Sequence, residues 1–166
     1  KNIQNLKNEI FKNPSIDHQQ ISNLIDKFSG QVSGESIIEK NQVEIKEIFE
    51  QENIEEILNK TYSLSQNGSE FSKNTEHELK GKSPTSLKIT FKQIHMATEM
   101  SLRDALIMEY RMVQRCQASG DFYEGVRAML VDKDRNPQWK PSNLDKVDEI
   151  WVNHFFEPLH EKDLKI

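Results

Sequence analysis

Apolar positions recur with a helical period along nearly the whole chain. Ile3, Leu6, Ile10 and Phe11 form a first stripe, and Ile21, Leu24, Ile25 and Phe28 a second, with Asn13-Pro14 as the break between them. Gly30 is a natural helix stop, and Gly30 to Gly34 reads as a polar loop. Ser36 to Phe49 predicts one helix with Ile38, Ile45, Ile48 and Phe49 as its buried set. Asn53, with Glu56 three residues later, opens a helix carrying Ile54, Ile57, Leu58 and Tyr62, which Asn67-Gly68 ends. Ser69 to Lys80 is a short, very polar helix.

Ser83-Pro84 is a strong helix start, with a capping hydroxyl followed by proline at the first helical position. Leu87, Phe91, Ile94 and Thr98 then follow one face. Ser101, with Asp104 three along, caps the next helix, whose stripe is Leu102, Ala105, Leu106, Val113 and Cys116. Phe122, Val126, Met129 and Leu130 mark a further helix, with Asp121 placed to cap it and Glu124 to complete a capping box. That helix runs into a charged turn and a Pro137-x-Trp139-x-Pro141 lock, where neither proline can continue a helix. Ser142 starts a last helix through Val147, Ile150, Trp151 and Phe155, stopped near Pro158. No stretch alternates with period two for long enough to propose a strand, so the chain reads as all-α.

Composition changes the picture at Gly81. All five Met, all five Arg, both Trp and the Cys follow it, whereas the earlier residues are rich in Asn, Lys, Glu and Ile. The chain therefore divides into a polar helical segment, residues 1–81, and a C-terminal helical segment, residues 82–166. Across 166 residues, 35% are hydrophobic and 30% charged, and the mean hydropathy of -0.76 is poor in apolar material for a self-sufficient core. Two readings follow: a partner surface supplies part of the core, or the helices form a loosely packed domain with long solvated faces. The net charge of -5 disfavours non-specific binding to nucleic acid or an anionic membrane. No apolar run approaches a membrane span. A single cysteine excludes an intrachain disulfide and fits a reducing compartment. Lys1 is not an initiator methionine, and the opening resembles neither a signal peptide nor an Arg-rich transit peptide, which suggests a portion of a longer gene product.

Candidate chemistry is sparse. The sequence holds no nucleophile elbow, P-loop, dinucleotide fingerprint or zincin motif. His18, His77, His95, His154 and His160 show no metal-ligand spacing, so no metal site is expected. Cys116, in an apolar stripe near a helix end, reads as a core thiol. No residue reads as catalytic. Arg103, Arg111 and Arg115 lie largely to one side of their helix, where they either receive phosphate or pair with carboxylates such as Asp104 or Glu109; pairing is favoured. Lys133, Arg135, Trp139 and Lys140 are the better anion candidates, since a flat aromatic flanked by cations can accept an adenine and its phosphates. The same ring can instead simply pack its turn, and composition alone favours that.

Three blocks in this order and spacing carry a resemblance. They are Ser83-Pro84-Thr85-Ser86-Leu87-Lys88-Ile89-Thr90, Met108-Glu109-Tyr110-Arg111, and Asp121 to Trp139 with its Asp-Phe-x-Glu-Gly-Val-Arg-Ala and Asp-Lys-Asp-x-x-Pro-x-Trp runs. Together they resemble the C-terminal part of the 3-hydroxyisobutyryl-CoA hydrolase family, within the crotonase superfamily. The match is strong from Ser83 to Pro141, continues through Asn153-His154-Phe155 and Asp163-Leu164-Lys165, and thins to helix pattern before Gly81.

The resemblance implies a crotonase-like α/β fold of which this chain is the helical C-terminal part, the β/α spiral core lying outside it. It implies hydrolysis of a coenzyme A thioester in valine catabolism, in the mitochondrial matrix. Two backbone N–H groups would hold the thioester oxyanion while acidic side chains manage water and proton transfer. Those elements belong to the missing core, and no position here matches them. The implied partner is that N-terminal core, in the same chain or another. Residues near the C-terminus can border the adenine end of coenzyme A, which singles out Lys133, Trp139 and Lys140; coenzyme A enters as substrate, with no cofactor implied. Relatives also resemble a component of the mitochondrial small ribosomal subunit, so a non-catalytic scaffold is the alternative. Neither membrane insertion nor sequence-specific nucleic-acid binding is expected.

Overall fold

A computed structural model describes residues 2–29 and 34–166. Ten α-helices and no strand occur among the described residues: α1 Asn2–Lys12, α2 His18–Phe28, α3 Ile37–Lys40, α4 Gln42–Phe49, α5 Ile54–Gln66, α6 Glu70–Lys80, α7 Pro84–Ala97, α8 Leu102–Ala118, α9 Asp121–Val126 and α10 Glu149–His154. Of the loop expected from Gly30 to Gly34, only Gly34 is described; the rest lies outside the described residues. Contacts divide the chain into two units, Lys1–Lys40 and Asn41–Ile166. The compositional step at Gly81 falls inside the second.

In the first unit α1 packs on α2, half-burying Leu6, Ile10, Ile21, Leu24 and Phe28, while Ile3, Phe11 and Ile25 stay exposed. A reciprocal box starts α2: the Gln20 amide N–H donates to Asp17 at 2.8 Å, and the Asp17 N–H donates back to the Gln20 side chain at 3.1 Å. The single helix expected from Ser36 to Phe49 is two helices. Asn41, at φ -109 and ψ 14, leaves helical geometry, as a residue that competes for backbone hydrogen bonds readily does. Of the buried set expected there, Ile48 is fully buried and Ile45 half-buried, but Ile38 and Phe49 are exposed.

The second unit is organised around α7. Its sequence suggested one apolar face, but the structure uses two. Leu87 and Phe91 pack against the cluster of Ile48, Ile54 and Ile57. Ile89 points the other way, into the cluster of Met108, Met112, Val147, Val152 and Phe155. A helix apolar on two sides belongs between layers, and α7 sits there. Caps fix its neighbours: Asn53 accepts from the Glu56 N–H at 2.8 Å, Ser101 from the Asp104 N–H at 3.1 Å, and Asp148 from the Trp151 N–H at 2.7 Å. In α5 Thr61, not Tyr62, turns inward, its hydroxyl donating to the Ile57 carbonyl at 2.6 Å. At the junction of α4 and α6, the Ser69 and Ser72 hydroxyls both donate to Glu44. The helix expected from Ser142 is a 3-10 turn, Leu144–Lys146, followed by the shorter α10.

Candidate functional site

The stretch from Gly120 to Pro141 is a charged clasp. Gly120, at φ 91, holds the left-handed turn that swings the chain out of α8, a conformation glycine adopts without penalty. Asp121 therefore lies inside α9, not at its cap, and does not perform the capping expected of it. It is buried, and its carboxylate accepts from the Ser83 hydroxyl at 2.5 Å and from the Lys140 amide N–H at 3.0 Å. Nor does Glu124 close a capping box. It accepts two bonds from Arg127, at 2.8 and 3.0 Å, and one from the Gln138 amide at 2.6 Å.

After Val126 the helix widens into a π-helical turn, Arg127–Val131. That widening carries Asp132 and Asp134 back over Arg127, whose Nη1 donates to both carboxylates at 2.6 Å. Asp134 also receives the Asn136 N–H at 2.9 Å, and the left-handed Lys133 and Arg135 on either side of it make the chain double back. The guanidinium fork is thus spent on three carboxylates and the Asn136 carbonyl. Its hydrogen bonds, with the Gln138 N–H, hold the Glu124 carboxyl down at about 2, and they push Arg127 further up. Asp134 is lowered by the same guanidinium.

Trp139 completes the clasp. Its Nε1–H donates to the Gly81 carbonyl at 3.0 Å, and a Cβ on Gly125 would stand 3.3 Å from the indole Cη2. The ring thus packs its turn. Lys140, tied through its main chain to Asp121, borders a small cavity of about 440 Å3 with Tyr123, Glu124, Arg127 and Gln138. Lys133 is exposed on the turn and lines neither of the cavities around the clasp. The structure thus brings Trp139 and Lys140 to Asp121 and leaves Lys133 apart.

The arginines of α8 reach the C-terminal tail, although the buried Nη1 of Arg115 has no partner among the described residues. Arg111 donates through Nε to Asp163 Oδ1 at 2.8 Å and through Nη2 to Oδ2 at 2.5 Å, a bidentate pair that lowers Asp163 and raises Arg111. Arg103 donates to the Ile166 main-chain oxygen at 2.9 Å, and Arg115 to the Pro158 carbonyl at 3.4 Å. Ion pairing, favoured for this side, holds for Arg111, but with Asp163 as its partner, and Arg103 lies 3.9 Å from Asp104. The stripe expected on α8 is misplaced in part, although its Cys116 packs against the core cluster. Met108 and Met112 are its buried residues, while Leu102 is 78% exposed, Val113 50% and Leu106 41%. The methionine side faces α7 and α10, and the other side is largely exposed. Cys116 is half-buried, its thiol pushed up by burial and by the negative charge of Asp121, which disfavours a nucleophilic thiolate.

Beside the clasp lies a predominantly apolar groove of about 690 Å3. It runs over α7, with Phe49, Ile54 and Leu79 to one side and Cys116, Phe122 and Trp139 to the other. Among the described residues no group of three or more His, Cys, Asp or Glu can hold a metal ion. No helix of the described residues is long and apolar enough to cross a membrane.

The described residues form a packed, carboxylate-locked helical surface beside an open apolar groove. The enoyl-CoA hydratase/isomerase family model matches residues 1–156, and the chain belongs to that family. It is 39% identical over 159 residues to the mitochondrial 3-hydroxyisobutyryl-CoA hydrolase of Gallus gallus, covering 93% of this chain and 40% of that protein. To the enzymes of the same name from Xenopus laevis and Homo sapiens it is 42% and 41% identical, over 78% of this chain and 33% of each relative. The chain therefore spans two-fifths or less of the length of these relatives. The crystal structure of a carnitinyl-CoA dehydratase from Mycobacterium thermoresistibile matches with a TM-score of 0.80 at 22% identity, over 98% of this chain and 44% of that one. An enoyl-CoA hydratase from Rhodobacter sphaeroides matches at 0.75 and 24%, over 91% of this chain and 46% of its own. These two likenesses establish the fold: this is the all-α C-terminal part of a crotonase-like protein.

Proposed function

We propose that this chain is the C-terminal part of a 3-hydroxyisobutyryl-CoA hydrolase acting in valine catabolism in the mitochondrial matrix. The observation that carries the reading is the identity of about two residues in five to mitochondrial hydrolases of that name. On this reading the oxyanion N–H pair and the carboxylates that direct water onto the thioester lie in the remaining portion, a β/α core in the same or a companion chain. The present residues brace that core. Lys140 and Trp139 border the adenine end of coenzyme A. Arg127 is unsuited to that task, because its donors are already engaged by carboxylates.

The mitochondrial ribosomal scaffold has no observation of its own among the relatives described above, which carry the names of acyl-CoA enzymes. The reading is tested by assaying the whole protein against a panel of acyl-CoA thioesters. Release of free coenzyme A fastest from 3-hydroxyisobutyryl-CoA is the expected result. Hydration of an enoyl-CoA without thioester cleavage would overturn it.

A further inference from the structure

Toward the C-terminal tail α8 carries more positive charge than the tail answers. Arg103, Arg111 and Arg115 meet one carboxylate there, Asp163, and Arg111 takes up both of its oxygens. Arg103 falls back on the Ile166 main-chain oxygen, with Asp104 at 3.9 Å. Arg115 is the least satisfied. Its Nη2 reaches the Pro158 carbonyl at 3.4 Å, longer than a good N–H···O bond, and its buried Nη1 has no partner among the described residues. A guanidinium nitrogen left in that state is costly, because it has given up water without gaining an acceptor. Lys162 and Lys165 are exposed on the tail and outnumber its exposed Glu161. In a chain of net charge -5 this excess of cations is a local feature.

The unmet donor selects the chemistry of the ligand. Arg111 and Arg115 stand one helical turn apart, about 6 Å along the axis. A carboxylate offers two oxygens in one plane, and Arg111 uses both of those on Asp163. A phosphate offers at least three acceptor oxygens in a tetrahedral arrangement and carries more charge, so it can serve two neighbouring guanidinium groups at once. We propose that Arg111 and Arg115 form a binding site for a phosphate-type oxyanion, in which the Asp163 carboxylate is the internal occupant. An entering phosphate satisfies the Arg115 Nη1, displaces Asp163 and so frees the tail from α8. The field of both arginines already reaches that position: the Asp163 carboxyl is lowered by its bonds to Arg111 and, to a lesser degree, by the charge of Arg115. None of these residues belongs to the clasp or lines the cavities beside it, so the site does not depend on the acyl-CoA reading.

The test titrates inorganic phosphate into the complete gene product at constant ionic strength, with chloride making up the balance. Phosphorus NMR reads binding, and mass spectrometry reads amide exchange in residues 159–166. Saturable binding is expected, with exchange in the tail faster by about fivefold or more. Asp163→Asn removes the charge of the internal occupant and should tighten phosphate by about tenfold, whereas Arg115→Met should abolish saturation. Equal responses to phosphate and chloride in the unaltered protein overturn the proposal, as does undiminished binding in Arg115→Met. Binding that coenzyme A abolishes, with exchange in the tail unchanged throughout, assigns the anion to the substrate pocket and overturns it too.

Discussion

The hydroxyl of Ser83 donates to the carboxylate of Asp121 at 2.5 Å across thirty-eight residues of sequence. Ser83 also accepts the Ser86 N–H at 3.1 Å as the cap of α7, and Asp121 receives the Lys140 N–H. One buried pair thereby joins the start of the central helix, the start of α9 and the end of the clasp.

Removing either partner strands the other. Asp121→Ala leaves a buried hydroxyl and an amide unpaired and is expected to destabilise the protein by about 3 kcal/mol. Ser83→Ala loses one bond and a cap, about 2 kcal/mol. In the double variant the losses fall short of additivity by about 1 kcal/mol or more. Urea unfolding of the four proteins measures this coupling, and strict additivity would show the pair to be incidental.

Gly125 sits under the Trp139 ring, so two effects compete when it gains a methyl group. Alanine improves the helix by about 1 kcal/mol. The new Cβ, 3.3 Å from an indole pinned by its bond to Gly81, forces the ring or the helix aside. Gly125→Ala is expected to destabilise the protein by about 1 kcal/mol, and to stabilise it when Trp139→Ala has already cleared the space. The sign reversal between backgrounds, read by denaturant midpoints, is the decisive outcome; the same sign in both means the ring yields freely.

Acid should loosen the clasp from Glu124. In the folded protein this carboxyl stays ionised down to about 2, whereas in the unfolded chain it takes a proton near ~4.3. Between those values the unfolded state binds more protons. The contribution is therefore complete above ~5 and is lost progressively as the pH falls toward the folded value. Asp134 and Asp163 act in the same direction. Carbon-detected NMR titration of Glu124 should show the depressed midpoint, and Arg127→Met should return it toward the ordinary range. An ordinary midpoint in the unaltered protein would mean the clasp is open in solution.

The pair between Arg111 and Asp163 ties the tail to α8 through a planar fork. Arg111→Met should speed amide exchange in residues 159–166 by about tenfold, and Arg111→Lys should restore it only in part, because an ammonium cannot make both bonds in one plane. Unchanged exchange in both variants would place the hold on the tail elsewhere, in Arg103 or Arg115.

The helices were legible where local chemistry sets them. Asn53, Ser83 and Ser101 each cap the helix expected to follow, because a side chain two or three residues from its partner needs no tertiary context. The face each helix buries was less legible. In α8 both the Met108–Met112 side and the Leu102–Leu106–Val113 side are apolar, and periodicity cannot rank two stripes on one cylinder. Long-range pairs were not legible at all: nothing near Asp121 in sequence reveals that its partner is Ser83. Trp139 and Lys140 were recognisable as neighbours through the lock they share, whereas Lys133 was grouped with them by sequence proximity and the turn at Asp134 carries it off. Of the three family blocks the last is the clasp itself and the first begins at Ser83, the partner of Asp121, so their spacing records how this part folds.

The claim that this chain is the non-catalytic C-terminal part of a thioester hydrolase is tested most directly by complementation. Release of free coenzyme A from 3-hydroxyisobutyryl-CoA is measured for the 166-residue chain alone, for the remaining portion expressed separately, and for the two combined. Hydrolysis above background by the combination alone is the predicted result. Turnover by this chain by itself, or none from a complex shown to have formed, would contradict it.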